Sequence, residues 1–439
     1  MENHSQSNIK NTTRIVSEKN CLDDFSKIMN REYPDRELLF VLDEQTEKAA
    51  GKKLKLQCRY SGITFQEMLL ESEDPVISAD YAYVPAIMDR ITISGALPVA
   101  VGSGTINDLV KCASTMVGTP YVCVATATSV DGYCATGAAL VKEGLKMTIP
   151  CDAPAIVFGD STVLMSAPYD MTAAGYGDLY AKIPGGADWI LADSLEIELI
   201  DPPIWDLVQS NLPVYLSDPE KLAVNDSLSY ERLFKGLCET GIAMQLYGDS
   251  RPASGAEHMI SHVWEMEHIS YKGSVVSHGF KVSVGSVLMT MIMEEFCKLP
   301  MDIFDPEEII AKREQWTGRV EKIKNCFPDS QIQEQIILTC RNKWISDSEL
   351  RRRVLSLREN WTGITEKMIK QIGSSMGIIS DLKKAGCPTR PVDIGRSNSE
   401  IQAVMEKAQM IRERFTILDC LYDLGVLPSV VGAVVGRME

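Results

Sequence analysis

The chain holds 439 residues, 45% hydrophobic and 24% charged, the balance of a soluble globular protein with apolar material for two or three domains. Its formal net charge of -16 argues against a nucleic-acid binder, which needs a basic face against phosphate. No run approaches the ~18 uninterrupted apolar residues that a membrane span requires.

The opening stretch, MENHSQSNIKNTTRIVSEKN, is polar and lacks the apolar core of a secretory signal, so 1–20 reads as a tail. The twelve cysteines are scattered without a C-x-x-C pair. Together these features predict free, mostly buried thiols in a reducing cytoplasm. From residue 21 the pattern alternates. ELLFVLDEQTEKAAGKKL is an apolar run, an acidic turn and a helical stretch, and LPVAVGSGTINDLVKCAST repeats that design around a Gly-rich turn. PYVCVATATSVDG and APAIVFGD supply two further apolar runs. Short apolar runs alternating with helical segments predict a parallel sheet covered on both faces, an α/β domain over 21–165. Within 166–439, VLMTMIMEEFCKL, PEEIIAKREQWTGRVEKIK, SDSELRRRVLSLRENW and SEIQAVMEKAQMIRERFTILDCLYDLG follow helical spacing, and this part reads as an all-α domain. Arg351, Arg352 and Arg353 lie among acidic and apolar residues and read as a solvated helix face. There is no internal repeat or low-complexity tract.

Several stretches carry chemistry. Asp43 ends the first apolar run, where it can accept from a ribose hydroxyl or cap a helix. Gly102 and Gly104 lie between strand and helix, where glycine lets a phosphate approach the backbone and the helix start offers N–H donors. The third Gly of G-x-G-x-x-G is absent, and a tight structural turn accounts for the pair equally well. TATSVDG follows the next strand, so both turns belong at the carboxyl edge of the sheet, where open α/β sheets bind ligands. Asp178, in SAPYDMTAAGYGDLYAK, is either solvated or a hard oxygen ligand. Residues 257–280, EHMISHVWEMEHISYKGSVVSHGF, hold four of the five histidines: His258, His262, His268 and His278. Metal ligation, proton transfer and a merely His-rich helix and loop are all open to such a cluster. His258 and His262 share a helix face. Met259 stands where a zincin protease needs Glu, which excludes that class. Asp178 with His258 and His278 is a set suited to a catalytic divalent metal.

With GSGTINDLVK, TATSVDGY, AAGYGDLYAK, SRPASGAEHMISH, SHGFKVSVG and RFTILDCLYDLG in this order between residues 38 and 427, the chain resembles the glycerol-1-phosphate dehydrogenases. These are metal-dependent dehydrogenases related to glycerol dehydrogenase and 3-dehydroquinate synthase. The resemblance implies a dehydroquinate synthase-like fold, with a nucleotide-binding α/β domain followed by a helical metal-binding domain. It implies reversible reduction of dihydroxyacetone phosphate to sn-glycerol 1-phosphate with NADH or NADPH. Asp178, His258 and His278 would bind the metal. Asp43, Gly104, Thr105, Ile106, Asn107, Asp108, Thr126, Ala127, Thr128 and Ser129 would line the NAD(H) or NADP(H) cofactor. Asp131 and His262 would contact the substrate, with Asp178 shared between substrate and metal, and His262 relaying the alcohol proton. Helical spacing alone makes both His258 and His262 ligands; the family makes only the first one. His268 matches no family position and is assigned to a loop.

Two departures bear on cofactor affinity and the choice between NADH and NADPH. The place four after Asp131, a small hydroxyl residue in the family, is Ala135 with Thr136 beside it, and GSG replaces GGG. Arg251 and Lys182 are basic residues within the motifs and candidates for the substrate phosphate. The alternative is that Arg251 holds its loop through backbone carbonyls and Lys182 is a solvated helix residue. Zn²⁺ and Ni²⁺ suit the ligand set, as does Fe²⁺. Relatives form homodimers or larger homo-oligomers, and the same is expected here. Other readings on this scaffold are a 3-dehydroquinate-synthase-like cyclase, another polyol dehydrogenase, or a silent metal- or nucleotide-binding protein. The long run that such synthases carry after their second Gly-rich turn is missing, and an intact ligand set opposes silence.

Overall fold

The computed structural model describes residues 13–72, 76–142 and 145–438. Six parallel strands form the main sheet: β1 Arg14–Val16, β2 Leu38–Leu42, β3 Phe65–Leu69, β4 Leu97–Gly102, β5 Val122–Ala125 and, after an antiparallel hairpin of β6 Ala138–Lys142 and β7 Leu145–Ile149, β8 Ile156–Phe158. Their order is β1-β8-β5-β4-β2-β3. Every residue of β2, β4 and β5 is buried, which is why they read as continuous apolar runs without alternation.

Helices α1 Phe25–Glu32, α2 Lys52–Ser61, α3 Val84–Ser94 and α4 Gly104–Val117 are interleaved with these strands. Leu38, Phe40 and Leu42 share a core with Phe25, Ile28 and Met29 of α1 and Leu54 and Cys58 of α2. The Phe25 ring sits 5.3 Å from Phe158 and 6.2 Å from Phe40. Leu39 and Val41 point to the other face of the sheet and are just as buried. The expected tail over 1–20 needs correction from residue 13 onward, since residues 1–12 lie outside the described chain. Arg14, Ile15 and Val16 pair in register with Ile156, Val157 and Phe158 as an edge strand, too short to show a sequence period.

The later helices are α5 Tyr169–Tyr180, α6 Lys182–Ser194, α7 Ser227–Tyr247, α8 Ala256–Met266, α9 His278–Phe296, α10 Asp347–Ile372, α11 Ile401–Met410 and α12 Leu427–Met438. They do not all belong to one unit. The first compact unit runs to Leu179 and includes Asp206–Ser250; the second comprises Tyr180–Trp205 and the chain from Arg251. This division differs from a single boundary at 165, because α5 and α7 fold back onto the sheet. Phe234 of α7 packs on Tyr133 at 5.5 Å between centroids, and Gln245 donates to Thr13 Oγ1 at 3.1 Å. Helical periodicity marks an apolar face without naming the core that receives it.

In the second unit α8 packs on α9 and α11, α6 on α10, and α9 on α12. Residues 281–293 of α9 are all buried. All twelve cysteines are free thiols, and all but Cys297 and Cys326 are buried. No helix among the described residues is long and apolar enough to cross a membrane.

Candidate nucleotide and metal sites

From β2 the chain moves outward to β3, and from β4 it moves outward the other way to β5. The crevice beyond the carboxyl ends of β2 and β4 is therefore the topological switch point of the sheet. Asp43 sits there, just after β2. Its Oδ1 accepts the Thr46 N–H at 2.7 Å and its own N–H donates to Thr46 Oγ1 at 3.0 Å, a reciprocal cap on a short helix. The capping role weighed for Asp43 is therefore present in the structure.

On the other side of the crevice, β4 turns into α4. A Cβ on Gly102 would lie 2.7 Å from the Ile106 side chain, and one on Gly104 would lie 2.9 Å from Val130 Cγ2. Packing alone thus disfavours a side chain at either position. Ser103, the N-cap, makes no side-chain bond to the helix, and the first backbone bond runs from Asn107 N–H to Ser103 O at 3.1 Å. The N–H groups of Gly104, Thr105 and Ile106 precede that bond, at the positive end of the helix dipole. The side chains of Ile106, Asn107 and Asp108 face protein instead of the crevice. Ile106 is buried, Asn107 Oδ1 accepts from Tyr121 at 3.1 Å, and Asp108 accepts from Lys111 at 3.1 Å and from the Ala139 N–H at 3.0 Å. Any contribution of these three to a cofactor therefore comes through backbone.

The turn after β5 is tightly held. The Thr126 N–H donates to Gly102 O at 3.2 Å, and Ala127 O accepts from Tyr133 at 2.6 Å. Thr128 Oγ1 donates to Thr172 at 3.1 Å, and Ser129 Oγ stands 3.5 Å from the Tyr133 hydroxyl. Gly175 of α5 presses on this turn so closely that a Cβ would sit 1.8 Å from Thr128 O. Buried Lys111, unremarked in the sequence, donates to Gly132 O at 2.8 Å and Gly137 O at 2.9 Å and buttons down the loop carrying Asp131. Ala135 is half-buried on that loop and Thr136 is exposed. The Asp131 N–H donates to Oδ2 of fully buried Asp178 at 3.0 Å, which brings those two predicted residues together.

The second unit gathers three of the histidines. His258 and His262 come from α8, and His278 is the first residue of α9. Ring centroids are 5.4 Å apart for His258 and His278, 6.0 Å for His262 and His278, and 6.4 Å for His258 and His262. Each Nδ1 faces a carboxylate: His258 meets Glu257 Oε1 at 2.8 Å, His262 meets Glu265 Oε2 at 3.0 Å, and His278 meets Glu265 Oε1 at 2.8 Å. Carboxylates of this kind fix ring orientation and leave Nε2 for a metal or a proton. Burial acts to raise the Glu265 pKa, but the His278 ring and the hydrogen bonds from His262 and His278 outweigh it and hold the carboxyl well below its usual range. Desolvation pushes His262 down to about 4, against the opposing pull of Glu265, so its ring is neutral at pH 7. His268 is exposed in a left-handed turn with φ 49°.

Neither glutamate was singled out in the sequence. Glu257 is adjacent to His258, and Glu265 lies three places after His262, one helical turn, so that signal was available. The contact of Glu265 with His278 crosses the β9 Ser270–Tyr271 and β10 Ser274–Val275 hairpin and was not.

Behind the cluster, buried Asp188 of α6 accepts from the Ala256 N–H at 2.8 Å and the Ile417 N–H at 2.7 Å, tethering the start of α8. Burial, and then the nearby Glu257 charge, push Asp188 up to about 7. Arg251 is part of the same knot. It donates to Phe415 O at 2.9 Å and Asp188 O at 3.0 Å, and its Nε lies 3.3 Å from Glu198. Its guanidinium serves the loop through backbone carbonyls, the holding role weighed for it in the sequence. Lys182 is fully buried, which rules out the solvated reading.

Residues 16–168 match the model of a family described as iron-containing alcohol dehydrogenase. A glycerol-1-phosphate dehydrogenase [NAD(P)+] of Geobacillus thermodenitrificans (strain NG80-2) is 29% identical over 396 residues, covering 88% of this chain and 86% of that protein. One from Bacillus subtilis (strain 168) is 32% identical over 289 residues, covering 66% of this chain and 72% of that protein. The fold is shared with a probable glycerol dehydrogenase from Sinorhizobium meliloti 1021, with a TM-score of 0.61 at 14% identity over 97% of each chain. By sequence relationship across most of its length, the chain belongs to the glycerol-1-phosphate dehydrogenase family.

Proposed function

We propose that this protein interconverts dihydroxyacetone phosphate and sn-glycerol 1-phosphate with NAD(H) or NADP(H), at a site holding one divalent metal ion. The observation that carries the reading is the histidine cluster, in which every Nδ1 is turned to a carboxylate. Asp178, His258 and His278 are the proposed ligands. The closest imidazole pair is His258 with His278, which favours the family's choice of ligands over the bare i, i+4 spacing of His258 and His262. A divalent ion supplies Lewis acidity toward the substrate oxygen, and the nicotinamide carries the hydride.

The chain's own groups do the rest. His262 Nε2 carries the alcohol proton, its ring held by Glu265 one helical turn from His258. The Asp131 N–H fixes the orientation of the Asp178 carboxylate, and the Asp131 side chain contacts the substrate. Backbone N–H groups of Gly104, Thr105 and Ile106 receive the pyrophosphate. Thr126, Ala127, Thr128 and Ser129 flank the nucleotide, and Asp43 reaches its ribose. Zn²⁺ or Ni²⁺, a cytoplasmic location and a homodimer or larger homo-oligomer complete the proposal.

Purified protein mixed with dihydroxyacetone phosphate and NADH or NADPH, followed by cofactor absorbance, tests it. Chelator-sensitive oxidation yielding the sn-1 stereoisomer is expected. Turnover that ignores exhaustive chelation, or a different stereoisomer, removes the reading. Elemental analysis of the same sample identifies the metal.

A further inference from the structure

The sequence reads Arg351, Arg352 and Arg353 as one solvated face, and the structure divides them. Arg351 and Arg352 keep 41% and 42% side-chain exposure and pair with Glu307 and Glu349. Arg353 keeps 13%. It turns inward from α10 and lines a cavity of about 330 Å³ together with Arg313, Arg319 and Lys343. That volume falls within the range of small-molecule sites. Asp178, the histidines of the cluster and the residues of the nucleotide turns do not line it.

In a chain of net charge -16, this lining carries five basic and four acidic side chains. The acids are already engaged. Asp419 accepts from Lys343 at 2.7 Å and from Gln409 at 2.8 Å, and Asp423 accepts from Arg353 at 3.1 Å. Glu198 lies 3.3 Å from Arg251, which is outside the lining, and exposed Glu413 accepts from Asn342 at 2.6 Å. The arginines are held differently, each over an aromatic ring of the same wall. Arg313 lies over Trp344 at 4.4 Å, Arg319 over Tyr422 at 4.5 Å and Arg353 over Phe415 at 5.1 Å. A ring holds a guanidinium in place without supplying an acceptor to its N–H groups. Arg313 bonds Ile345 O at 2.7 Å and Asp347 at 3.4 Å, both through Nη1. Arg353 bonds Glu349 through Nε and Asp423 through Nη1. The Nη2 of each makes no hydrogen bond among the described residues, and neither is sealed from solvent.

We propose that this cavity is a second small-molecule site, which takes a small organic phosphate on Arg313 and Arg353. A phosphate ester has three terminal oxygens and meets two arginines at once, whereas the two oxygens of a carboxylate are filled by a single fork. Trp344 and Phe415 supply an apolar wall for the organic part. Guanidinium groups already fixed over rings give up little freedom on binding.

Isothermal titration of the metal-loaded protein with glycerol 2-phosphate, and with succinate for comparison, tests this in wild type, Arg313→Gln and Arg353→Lys. The lysine keeps a charge for Asp423 and Glu349 while the fork is lost. Wild type is expected to bind the phosphate ester more tightly than succinate. Arg313→Gln weakens that binding about 10- to 100-fold, the loss of a charge-assisted contact, and Arg353→Lys weakens it by a smaller factor. KM for dihydroxyacetone phosphate keeps its wild-type value in both variants. No binding in wild type, or binding that neither substitution alters, overturns the site. A parallel rise in KM makes the cavity part of the substrate site and overturns its being a second one, and succinate bound as tightly overturns the phosphate assignment. The titration reads binding without turnover, so failure of the reaction proposed above is distinguishable from failure of this site.

Discussion

The sheet edge and the histidine cluster are built by opposite means. At the sheet edge, backbone does the work: glycines allow β4, α4 and the turn after β5 to close on one another, and helix N–H groups face the crevice. At the cluster, side chains do it: three imidazoles are aimed by two carboxylates, and the helix that bears two of them is tethered by a third, Asp188. A backbone site tolerates side-chain change but not crowding, whereas a side-chain site fails when a single hydrogen-bond partner is lost. Substitutions in each region separate these two kinds of dependence.

The largest effect belongs to the cluster. His258→Ala and His278→Ala should each lose bound metal and activity together, read by elemental analysis and NADH oxidation. His262→Ala should keep its metal while turnover falls by about 10²–10⁴, the usual contribution of a positioned acid or base. A fully metallated, active His278→Ala protein breaks the ligand assignment. Loss of metal from His262→Ala makes that residue a ligand as well.

Next comes a packing test of the sheet edge. Lys111→Met strips the buried ammonium from Gly132 O, Gly137 O and Asp108. The expected cost is about 3 kcal/mol in chemical denaturation, the low end for breaking a buried pair, because the Asp108 side chain keeps 15% exposure. Metal content should be unchanged. A loss below about 0.5 kcal/mol, ordinary for a surface site, would mean that the loop carrying Asp131 is held by something else.

Glu265→Gln probes the cluster without replacing a proposed ligand. It keeps the shape and removes the charge that both His262 and His278 face, so metal affinity or activity should fall about 10- to 100-fold. Chelator competition separates the two outcomes. An unchanged metal affinity together with unchanged kcat would show that the rings need no carboxylate to be held in place.

How much of this was legible in the sequence follows the same division. Apolar runs in β2, β4 and β5, the Gly102–Gly104 turn and the i, i+4 histidines are local patterns, and each marks its element. Gly175 illustrates the limit. Its sequence neighbourhood, AAGYGD, looks like an unremarkable small-residue helix, yet only glycine fits beneath Thr128 O, 47 positions earlier in the chain. Arg251 shows the same limit, because its partners at Phe415 and Asp188 are set by tertiary packing. The family resemblance supplied the ligand triad, which spacing alone left open between His262 and His278.

The smallest effect sharpens the comparison most, because Asp43 is a side chain working at the backbone site. Its Oδ1 caps the Thr46 N–H, and its position at the switch point suits a bond from Oδ2 to a ribose hydroxyl. The two roles come apart by substitution. Asp43→Ser keeps a cap and removes the charge; Asp43→Ala removes both. Thermal unfolding should therefore show a loss of about 1 kcal/mol for Ala and a few tenths at most for Ser. The ratio of kcat/KM for NADH over NADPH should fall in both variants alike, since the carboxylate that repels the extra phosphate of NADPH is gone from each. A ratio unchanged in both variants leaves Asp43 as a cap alone. A ratio that changes only in Ala would mean that the cap, by shaping the turn after β2, is what selects the cofactor, and that the sheet edge reads its nucleotide through backbone even there.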